Sequence, residues 1–418
     1  MGGEYPRDEL QDELVAAMAS MSIVDTHEHL SREEELRAEP PDIFTRLLGQ
    51  YIPSMAASAG LSDARARLKD TRVPLEERWR LFSPTWESIR DTGYARSALR
   101  AARDLFGVED INDDTWRRLS DTIRERDTPG LYDRILKGAC RIERLINQGS
   151  WKDEFAPGIY RPFMYLPETD ARDLSGIYRS WEEGKGRKLL KAVDWARAWG
   201  ADIAAQGYIG LKFAASIPTT CIGDDEADGL FRLLREGSID DAGARALGIW
   251  LMHASIRLAP EQRFVVAIHC GLNWEVWMGL EHNTPVRLVP LLLKYRSTTF
   301  DLYHAGVPWV REMAVIGNQY PNVHLNLCWA HQISPYMVEH LLNEWIDLVP
   351  VNKIIGFGGD VGAGPYKVYG ALCLARENIA RALAVRIRRG QMGMGRAVEI
   401  CRAWLRENPR RIYRLDER

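Results

Sequence analysis

The chain has 418 residues and a mass of 47.6 kDa. This length suits either two or three ordinary domains or one α/β barrel with insertions. Lys and Arg total 55 and Asp and Glu total 58, for a formal net charge of −3, which does not favour a nucleic-acid-binding or polybasic membrane protein. Apolar residues at 46% and charged residues at 27% are ordinary globular values, and they exclude global disorder.

The cysteines, the amino-terminal segment and the tryptophans narrow the class further. Six cysteines without a C-x-x-C pair are too few for a disulfide scaffold and exclude a thiolate zinc cluster. The amino-terminal segment has acids where a signal peptide needs an apolar core, and no stretch approaches the ~20 apolar residues of a membrane span. We therefore expect a cytoplasmic protein without a membrane partner. The 14 tryptophans are many for this length and favour an aromatic-lined pocket.

The first part of the chain contains one predicted strand and a long helical region. A helix is predicted from Asp8 to Met21, and a short buried strand follows in SIVDTHEHL (22–30), ending at His27 and His29. Residues 31–140 then begin with a charged loop and continue as an Arg- and Trp-rich helical stretch without a strand-like run. The sequence does not decide whether this stretch is a lid, an extra subdomain or a stabilising insertion.

From residue 142 onward, short apolar runs alternate with amphipathic helical segments. The runs are 142–147, 159–166, 208–215, 264–270, 300–304, 323–329 and 353–360, and helices are predicted at Leu189–Trp199, Ala242–Arg257 and Tyr336–Leu348. With the first strand, this makes eight strand candidates. Alternating β and α elements predict a parallel sheet, and eight strands predict a closed (β/α)₈ TIM barrel of the α/β class. We expect a single domain over 1–418, with 31–140 inserted between strands 1 and 2. An open doubly wound sheet is the alternative, weakened by the lack of a G-x-G-x-x-G turn.

Side chains that can bind a metal stand at the carboxyl ends of several predicted strands. His27 and His29 are two residues apart, so in an extended strand they point the same way and can chelate one cation. Later strands end at four more such side chains: Lys212, His269, His304 and Asp360. The carboxyl ends of parallel barrel strands gather at one rim, where barrel active sites lie. Imidazole and carboxylate ligands without thiolates suit Zn²⁺, Fe²⁺ or Mn²⁺.

This set of strand-end residues resembles the amidohydrolase superfamily, and more narrowly its family-2 branch of hydrolases and decarboxylases, with uronate isomerases as more distant relatives. The resemblance begins at residue 22 and is strongest over about 205–414, in FDLYHAGVPWVREMA, YPNVHLNLCWAHQISP and ENPRRIYRL. The motifs are specific for the superfamily and not for a substrate. One departure is GGD (358–360), where many relatives have Gly-Thr-Asp or Gly-Ser-Asp. The long insertion resembles the isomerase side of the superfamily.

The resemblance implies a role for each matched residue. His27, His29 and Asp360 would bind the inner metal. Lys212 stands where binuclear members carry a lysine carboxylated by CO₂ that bridges two cations, and His269 and His304 would then hold the second metal. In mononuclear relatives this lysine is absent, His269 joins the single site and the sixth-strand histidine is catalytic. The presence of the lysine favours two metals, but a plain ammonium that binds a substrate carboxylate or pairs with Asp360 stays open.

The resemblance also implies a reaction. A metal-activated water would attack an ester, thioester, lactone or amide of a small and perhaps bulky or aromatic molecule, with Asp360 and His304 as catalytic residues. The alternatives are a mononuclear decarboxylase of an aromatic or enoic acid, a uronate-type isomerase, and a barrel that only binds a ligand. The intact ligand set argues against the last of these. No G-x-S-x-G motif is present, which excludes the usual serine hydrolase.

Substrate-binding candidates follow the later strands and lie in the insertion. Trp274, Trp309 and Trp329 come after strands five to seven and predict an aromatic pocket wall. His331 follows strand seven, and Arg90 could reach the site from the insertion. The expected partner is a small-molecule substrate, and the sequence leaves homo-oligomerisation open.

Overall fold

The structure is a computed structural model that describes residues 7–148, 159–166, 181–182, 184–185, 189, 191–214, 217–274, 276–277 and 279–417. Its strands are β1 (Ile23–Glu28), β2 (Ile142–Gln148), β3 (Tyr160–Leu166), β4 (Gly210–Phe213), β5 (Val265–Ile268), β6 (Thr299–Leu302), β7 (Val323–Asn326) and β8 (Ile354–Ile355). They form one sheet in the order β1 to β8, and each strand runs parallel to the next. The predicted (β/α)₈ barrel is confirmed, because a doubly wound sheet would not keep this sequential order.

The barrel closes between β1 and the segment that follows the two-residue strand β8. The Asp360 N–H donates to the His27 carbonyl at 2.7 Å, and the His29 N–H donates to the Val361 carbonyl at 2.9 Å. These bonds continue the pairing where β8 itself has ended. They therefore place the His-x-His end of β1 directly beside the loop that carries Asp360.

Helices precede β1 and fill the insertion between β1 and β2. Helix α1 (Glu9–Ser20) is capped by the Asp8 side chain. The insertion contains α2 (Glu33–Ala38), α3 (Ile43–Arg46), α4 (Tyr51–Ser58), α5 (Ala64–Lys69), α6 (Leu75–Ile89), α7 (Gly93–Phe106) and α8 (Trp116–Arg126), and then a π-helical turn at Asp133–Ala139. The predicted helical insertion is thereby confirmed.

The helices of the insertion pack through aromatic residues at helical spacing. Trp79, Phe82 and Trp86 lie on one face of α6, and all three are buried. Trp79 stacks on Trp116 of α8 with ring centroids 5.6 Å apart. Part of the high tryptophan content thus stabilises the insertion and does not line a pocket.

The remaining helices surround the barrel. They are α9 (Ala192–Ala205), α10 (Asp224–Glu236), α11 (Asp241–Leu258), α12 (Val289–Lys294), α13 (Val310–Gln319), α14 (Ala330–Ile333), α15 (Pro335–Leu348), α16 (Pro365–Arg388), α17 (Met394–Arg402) and α18 (Asn408–Ile412). Short 3₁₀ turns lie at Ala259–Gln262, Pro285–Leu288, His304–Gly306 and Val351–Lys353, and a π turn at Ala403–Glu407.

The helices predicted within this part are found as α9, α11 and α15. Helix α9 begins and ends later than its predicted bounds, and α15 starts where Ser334 caps its first turn and proline occupies the first helical position. Positions 190 and 215, at the edges of predicted elements, lie outside the described residues. None of the described helices combines the length and the apolar character needed to cross a membrane.

A buried carboxyl group lies inside the barrel beneath the rim. Asp301 of β6 is fully buried and accepts hydrogen bonds from Asn326 Nδ2 at 2.9 Å and from the Tyr413 hydroxyl. Burial raises the pKa of Asp301 to about 7, against the effect of these two hydrogen bonds, which lower it. Tyr413 reaches the barrel interior from the segment after α18, so this carboxyl group joins the carboxyl-terminal segment to the strands.

We predict that Asp301 makes the fold less stable as the pH rises. In the unfolded chain its pKa returns to about 3.8, so between about pH 4 and pH 7 the unfolded state releases a proton that the folded state keeps. The full effect is on the order of a few kcal/mol. Asp301→Asn should therefore show a smaller drop in thermal midpoint than the native chain between about pH 5 and pH 8.

The matched control is Asp121→Asn on α8, an exposed carboxylate that pairs with Arg124. This control should keep the native dependence of the thermal midpoint on pH. An Asp301→Asn variant with the same pH dependence as the native chain would show that this carboxyl group is not protonated in the fold.

Candidate metal centre

Three of the predicted ligands meet at one point of the rim. His27 Nε2 and His29 Nε2 each lie 3.2 Å from Asp360 Oδ1. Among the described residues, these three side chains form a group of potential ligand atoms that all lie within 4.8 Å of one another. Side chains alternate along a strand, so His27 and His29, two residues apart, face the same side. The barrel closure brings the Asp360 carboxylate next to them.

The protonation states of the three groups suit a divalent cation. Burial lowers the pKa of His27 to about 4, which keeps its imidazole neutral and its nitrogen lone pair available. Burial acts to raise the pKa of Asp360, but the neighbouring His27 and His29 outweigh it and hold that pKa well below its usual range. Two imidazole nitrogens and one carboxylate oxygen are a donor set for Zn²⁺, Fe²⁺ or Mn²⁺. The residues present therefore fit a single metal ion.

The histidines of β5 and β6 lie beside this group. The rings of His269 and His304 are 4.2 Å apart, and His304 Nδ1 is 3.8 Å from Asp360 Oδ2. His269 Nε2 is 2.9 Å from the Leu272 carbonyl, an acceptor that assigns the proton to Nε2 and leaves Nδ1 with a lone pair. Burial lowers the pKa of His269 to about 3 and that of His304 well below its usual value. Both rings are thus neutral proton acceptors.

Lys212 ends β4 at the same rim. Its side chain is buried, with Nζ 5.4 Å from the centre of the Tyr303 ring. Burial lowers the pKa of the Lys212 ammonium group below its usual value. Neither this lysine nor His269 and His304 belongs to the converging three-residue group, so carboxylation of Lys212 and a second metal stay predictions.

A cavity of about 1040 Å³ opens above the three ligands. Its aromatic walls include Phe44, Tyr51, Trp274 and Trp329, and its polar walls include the amides Gln50, Gln148, Asn273 and Asn283 together with Lys212 and His269. Trp329 stacks on Tyr51 with ring centroids 4.9 Å apart and contacts the His304 ring edge-on at 5.3 Å. Two of the predicted aromatic residues, Trp274 and Trp329, therefore lie at this cavity.

The structure does not bring Trp309, His331 and Arg90 to the cavity. His331 is buried, and its Nε2 lies 2.9 Å from the Gly356 carbonyl, a contact that ties the helix after β7 to the end of β8. Arg90 pairs with Asp110 at 2.5 Å on the outside of the insertion. Trp309 begins α13 and is not among the lining residues.

Two buried acids behind the ligands escaped the sequence analysis. Asp25 Oδ1 accepts from the backbone N–H groups of His27 at 3.2 Å and Gly359 at 3.3 Å, and Glu28 Oε2 accepts from the Val361 N–H at 2.6 Å. Burial raises the pKa of Asp25 to about 6 and that of Glu28 well above its usual range. Both acids are visible in the sequence of β1, but they stand out only as neighbours of the histidines.

The Glu28 side chain also explains the glycine that precedes the metal-ligand aspartate. A Cβ atom at Gly359 would lie 2.0 Å from Glu28 Oε1, inside any possible contact distance. Threonine or serine at this position would displace a fully buried carboxyl group. The GGD sequence is therefore coupled to the glutamate of HEH.

Comparisons with known proteins find a family model that matches the carboxyl-terminal part of the chain, which includes Asp360. The family model described as Amidohydrolase matches residues 217–415. Protein fluG of Emericella nidulans is 21% identical over 354 residues, which are 76% of this chain, and the chain spans 41% of that protein's length.

Two solved structures share the fold over nearly their whole length. Glucuronate isomerase from Caulobacter crescentus has a TM-score of 0.80 at 18% identity and covers 99% of this chain and 96% of its own. Uronate isomerase from Thermotoga maritima has a TM-score of 0.80 at 13% identity and covers 97% of this chain and 98% of its own. Residues 217–415 of the chain are thus similar to the Amidohydrolase family, and the eight-stranded barrel is shared with both isomerase structures.

Proposed function

We propose that the chain is a mononuclear metal-dependent isomerase of a sugar acid. The observation that carries this proposal is the three-ligand group, found among the described residues, at the base of a cavity whose walls include the amides of Gln50, Gln148, Asn273 and Asn283, together with Lys212 and His269. The likeness to two isomerases over almost the whole chain, insertion included, adds support by analogy of fold.

His27, His29 and Asp360 would hold the metal through the atoms that already face one another at 3.2 Å. When bound, the ion would polarise a carbonyl oxygen of the substrate and orient the neighbouring hydroxyl. Asp360 then keeps a second oxygen, Oδ2, on the side of His304. This oxygen can accept a proton and return it. The neutral His304 ring nearby carries no charge that would favour the protonated or the ionised form of Asp360.

Isomerisation of an aldose to a ketose requires only proton transfers. One proton moves from C2 to C1 and one from the C2 hydroxyl to the C1 oxygen, and no water is consumed. Asp360 and the lone pair on His269 Nδ1 are acceptors at the cavity for these protons. Burial keeps His269 and His304 neutral, so neither ring adds a positive charge next to the metal ligands.

The cavity walls offer groups for a carboxylate and for several hydroxyls. Burial lowers the pKa of the Lys212 ammonium group, and a substrate carboxylate beside it would favour its positive charge. Within the described chain, both amide atoms of Gln148 and the Asn283 Nδ2 atom are buried without a hydrogen-bond partner. A polyhydroxylated substrate would satisfy these atoms, whereas an apolar one would leave their desolvation uncompensated.

Hydrolysis of a lactone or ester is the second candidate, favoured by the description of the matched family as Amidohydrolase. A three-ligand metal site leaves a coordination position for water, and the same Asp360 oxygen could take a proton from it. The binuclear form with carboxylated Lys212 belongs to this candidate.

We predict that the native enzyme converts D-glucuronate or a related uronate to a product of unchanged mass, measured by chromatography with mass spectrometry. A hydrolysed lactone or ester would instead gain the mass of one water. Asp360→Asn should lower turnover by about 100-fold or more, because it removes both a ligand and a proton acceptor. The exposed variant Asp121→Asn should keep native turnover. Hydrolysis of lactones or esters with no uronate conversion would establish the second candidate.

We further predict one metal ion per chain, measured by elemental mass spectrometry on protein purified without chelators. Lys212→Met should keep this metal and raise the KM for the uronate, because it removes only the group that faces the carboxylate. Two ions per chain, with loss of metal in Lys212→Met and recovery on adding short-chain carboxylates, would contradict the single-metal assignment and indicate a carboxylated lysine.

A further inference from the structure

We propose that Gln50, a residue of the helical insertion, is a positioning residue for the metal centre. Its side-chain amide clasps the backbone of residues 360–362 and so holds the Asp360 carboxylate against His27 and His29. The inference rests on the metal centre of the proposed function and is independent of the substrate. It gives the insertion a role at the metal that the barrel alone does not supply.

The clasp uses both polar atoms of the amide. Gln50 Nε2 donates to the Asp360 carbonyl at 2.8 Å, and Gln50 Oε1 accepts from the Gly362 N–H at 2.8 Å. The Tyr51 hydroxyl donates to the same Asp360 carbonyl. A carbonyl oxygen has two lone pairs, so the insertion supplies donors for both of them.

The backbone of Asp360 needs such support. Its φ angle is 55°, in the left-handed region that costs a residue with a Cβ about 1 kcal/mol or more. The barrel binds the Asp360 N–H, through the His27 carbonyl at 2.7 Å, and it also binds the backbone of Val361. The Asp360 carbonyl is bound instead by Gln50 and Tyr51 of the insertion. Without them, relaxation of the backbone would turn the carboxylate away from the two imidazoles.

The segment that carries the clasp is itself fixed in place. Gln50 has a φ angle of 63°, so it too is held in a strained conformation. The preceding carbonyl, that of Gly49, accepts a hydrogen bond at 2.7 Å from Nζ of Lys367, a fully buried lysine of α16. Helix α16 follows the Asp360 loop in the chain. The insertion is therefore bound to both ends of that loop.

The test is a titration of chelator-treated full-length protein with Co²⁺, followed by visible absorption and by competition with a chromophoric chelator. Gln50→Met keeps the length of the side chain and removes both hydrogen bonds. Loss of a partner that orients a ligand typically weakens metal binding by about 10- to 100-fold. We expect a loss in that range for Gln50→Met, together with a changed Co²⁺ spectrum, which reports ligand geometry and does not respond to global stability.

Gln148→Met is the matched control. Gln148 lines the same cavity, but its amide makes no hydrogen bond to the Asp360 loop, so the Co²⁺ affinity and spectrum should stay native. Thermal unfolding of the metal-free proteins checks that each variant is folded. Should Gln50→Met fail to fold, Tyr51→Phe removes one donor to the same carbonyl and should weaken Co²⁺ binding in the same direction.

The outcomes separate the inference from the proposed function. Native Co²⁺ affinity and spectrum in both Gln50→Met and Tyr51→Phe would overturn the positioning role. Failure of the native protein to bind Co²⁺ would overturn the metal centre itself. Weaker binding in the Gln148→Met control, equal to that in Gln50→Met, would show a general effect of the cavity wall and would also overturn the clasp.

Discussion

The site depends on one backbone hydrogen bond, from the Asp360 N–H to the His27 carbonyl, at the place where the barrel closes. The two residues lie near opposite ends of the chain, and only closure of the eight-stranded sheet brings them together. The backbone at the closure therefore sets the direction in which each ligand side chain points. A shift of this closure by one residue would turn His27 and His29 to the other face of β1, since side chains alternate along a strand.

Closing the barrel at this point buries several acids in a small volume. Asp25 and Glu28 of β1 lie beside Asp360 where the barrel closes. Burial raises the pKa of Asp25 and of Glu28, and the neighbouring carboxyl groups raise both further. The raised pKa of Glu28 favours its protonated form and so reduces the negative charge behind the ligands, while the histidines keep the pKa of Asp360 low. The rear acids nevertheless serve the site, since they accept the backbone N–H groups that no strand partner satisfies.

The sequence predicts the parts of this site that follow from repeating structure. Strand period places His27 and His29 on one face, and parallel strands bring His269, His304 and Asp360 to one rim. Gln50 and Tyr51 could not be found this way, because nothing in their spacing relates an insertion to a loop at the far end of the chain. Arg90 and Trp309 failed to reach the cavity for the same reason, since their positions are set by how helices pack. The tryptophan count also did not distinguish a pocket wall from packing, since of the 14 tryptophans Trp274 and Trp329 line the cavity, whereas Trp79, Trp86 and Trp116 are buried in the insertion.

The metal ligands alone do not choose a reaction, because one set of strand-end residues serves several chemistries on this fold. The reaction is set by which substrate the cavity walls bind next to the metal ligands. Here β2 and the loop after β5 contribute unpartnered amides, and the insertion contributes residues that reach both the cavity and the Asp360 backbone. Gln50 and Tyr51 thus both line the cavity and bind the Asp360 carbonyl. Under the proposed function, a substrate that displaced this segment would also move Asp360, so the same few residues would set substrate fit and metal geometry.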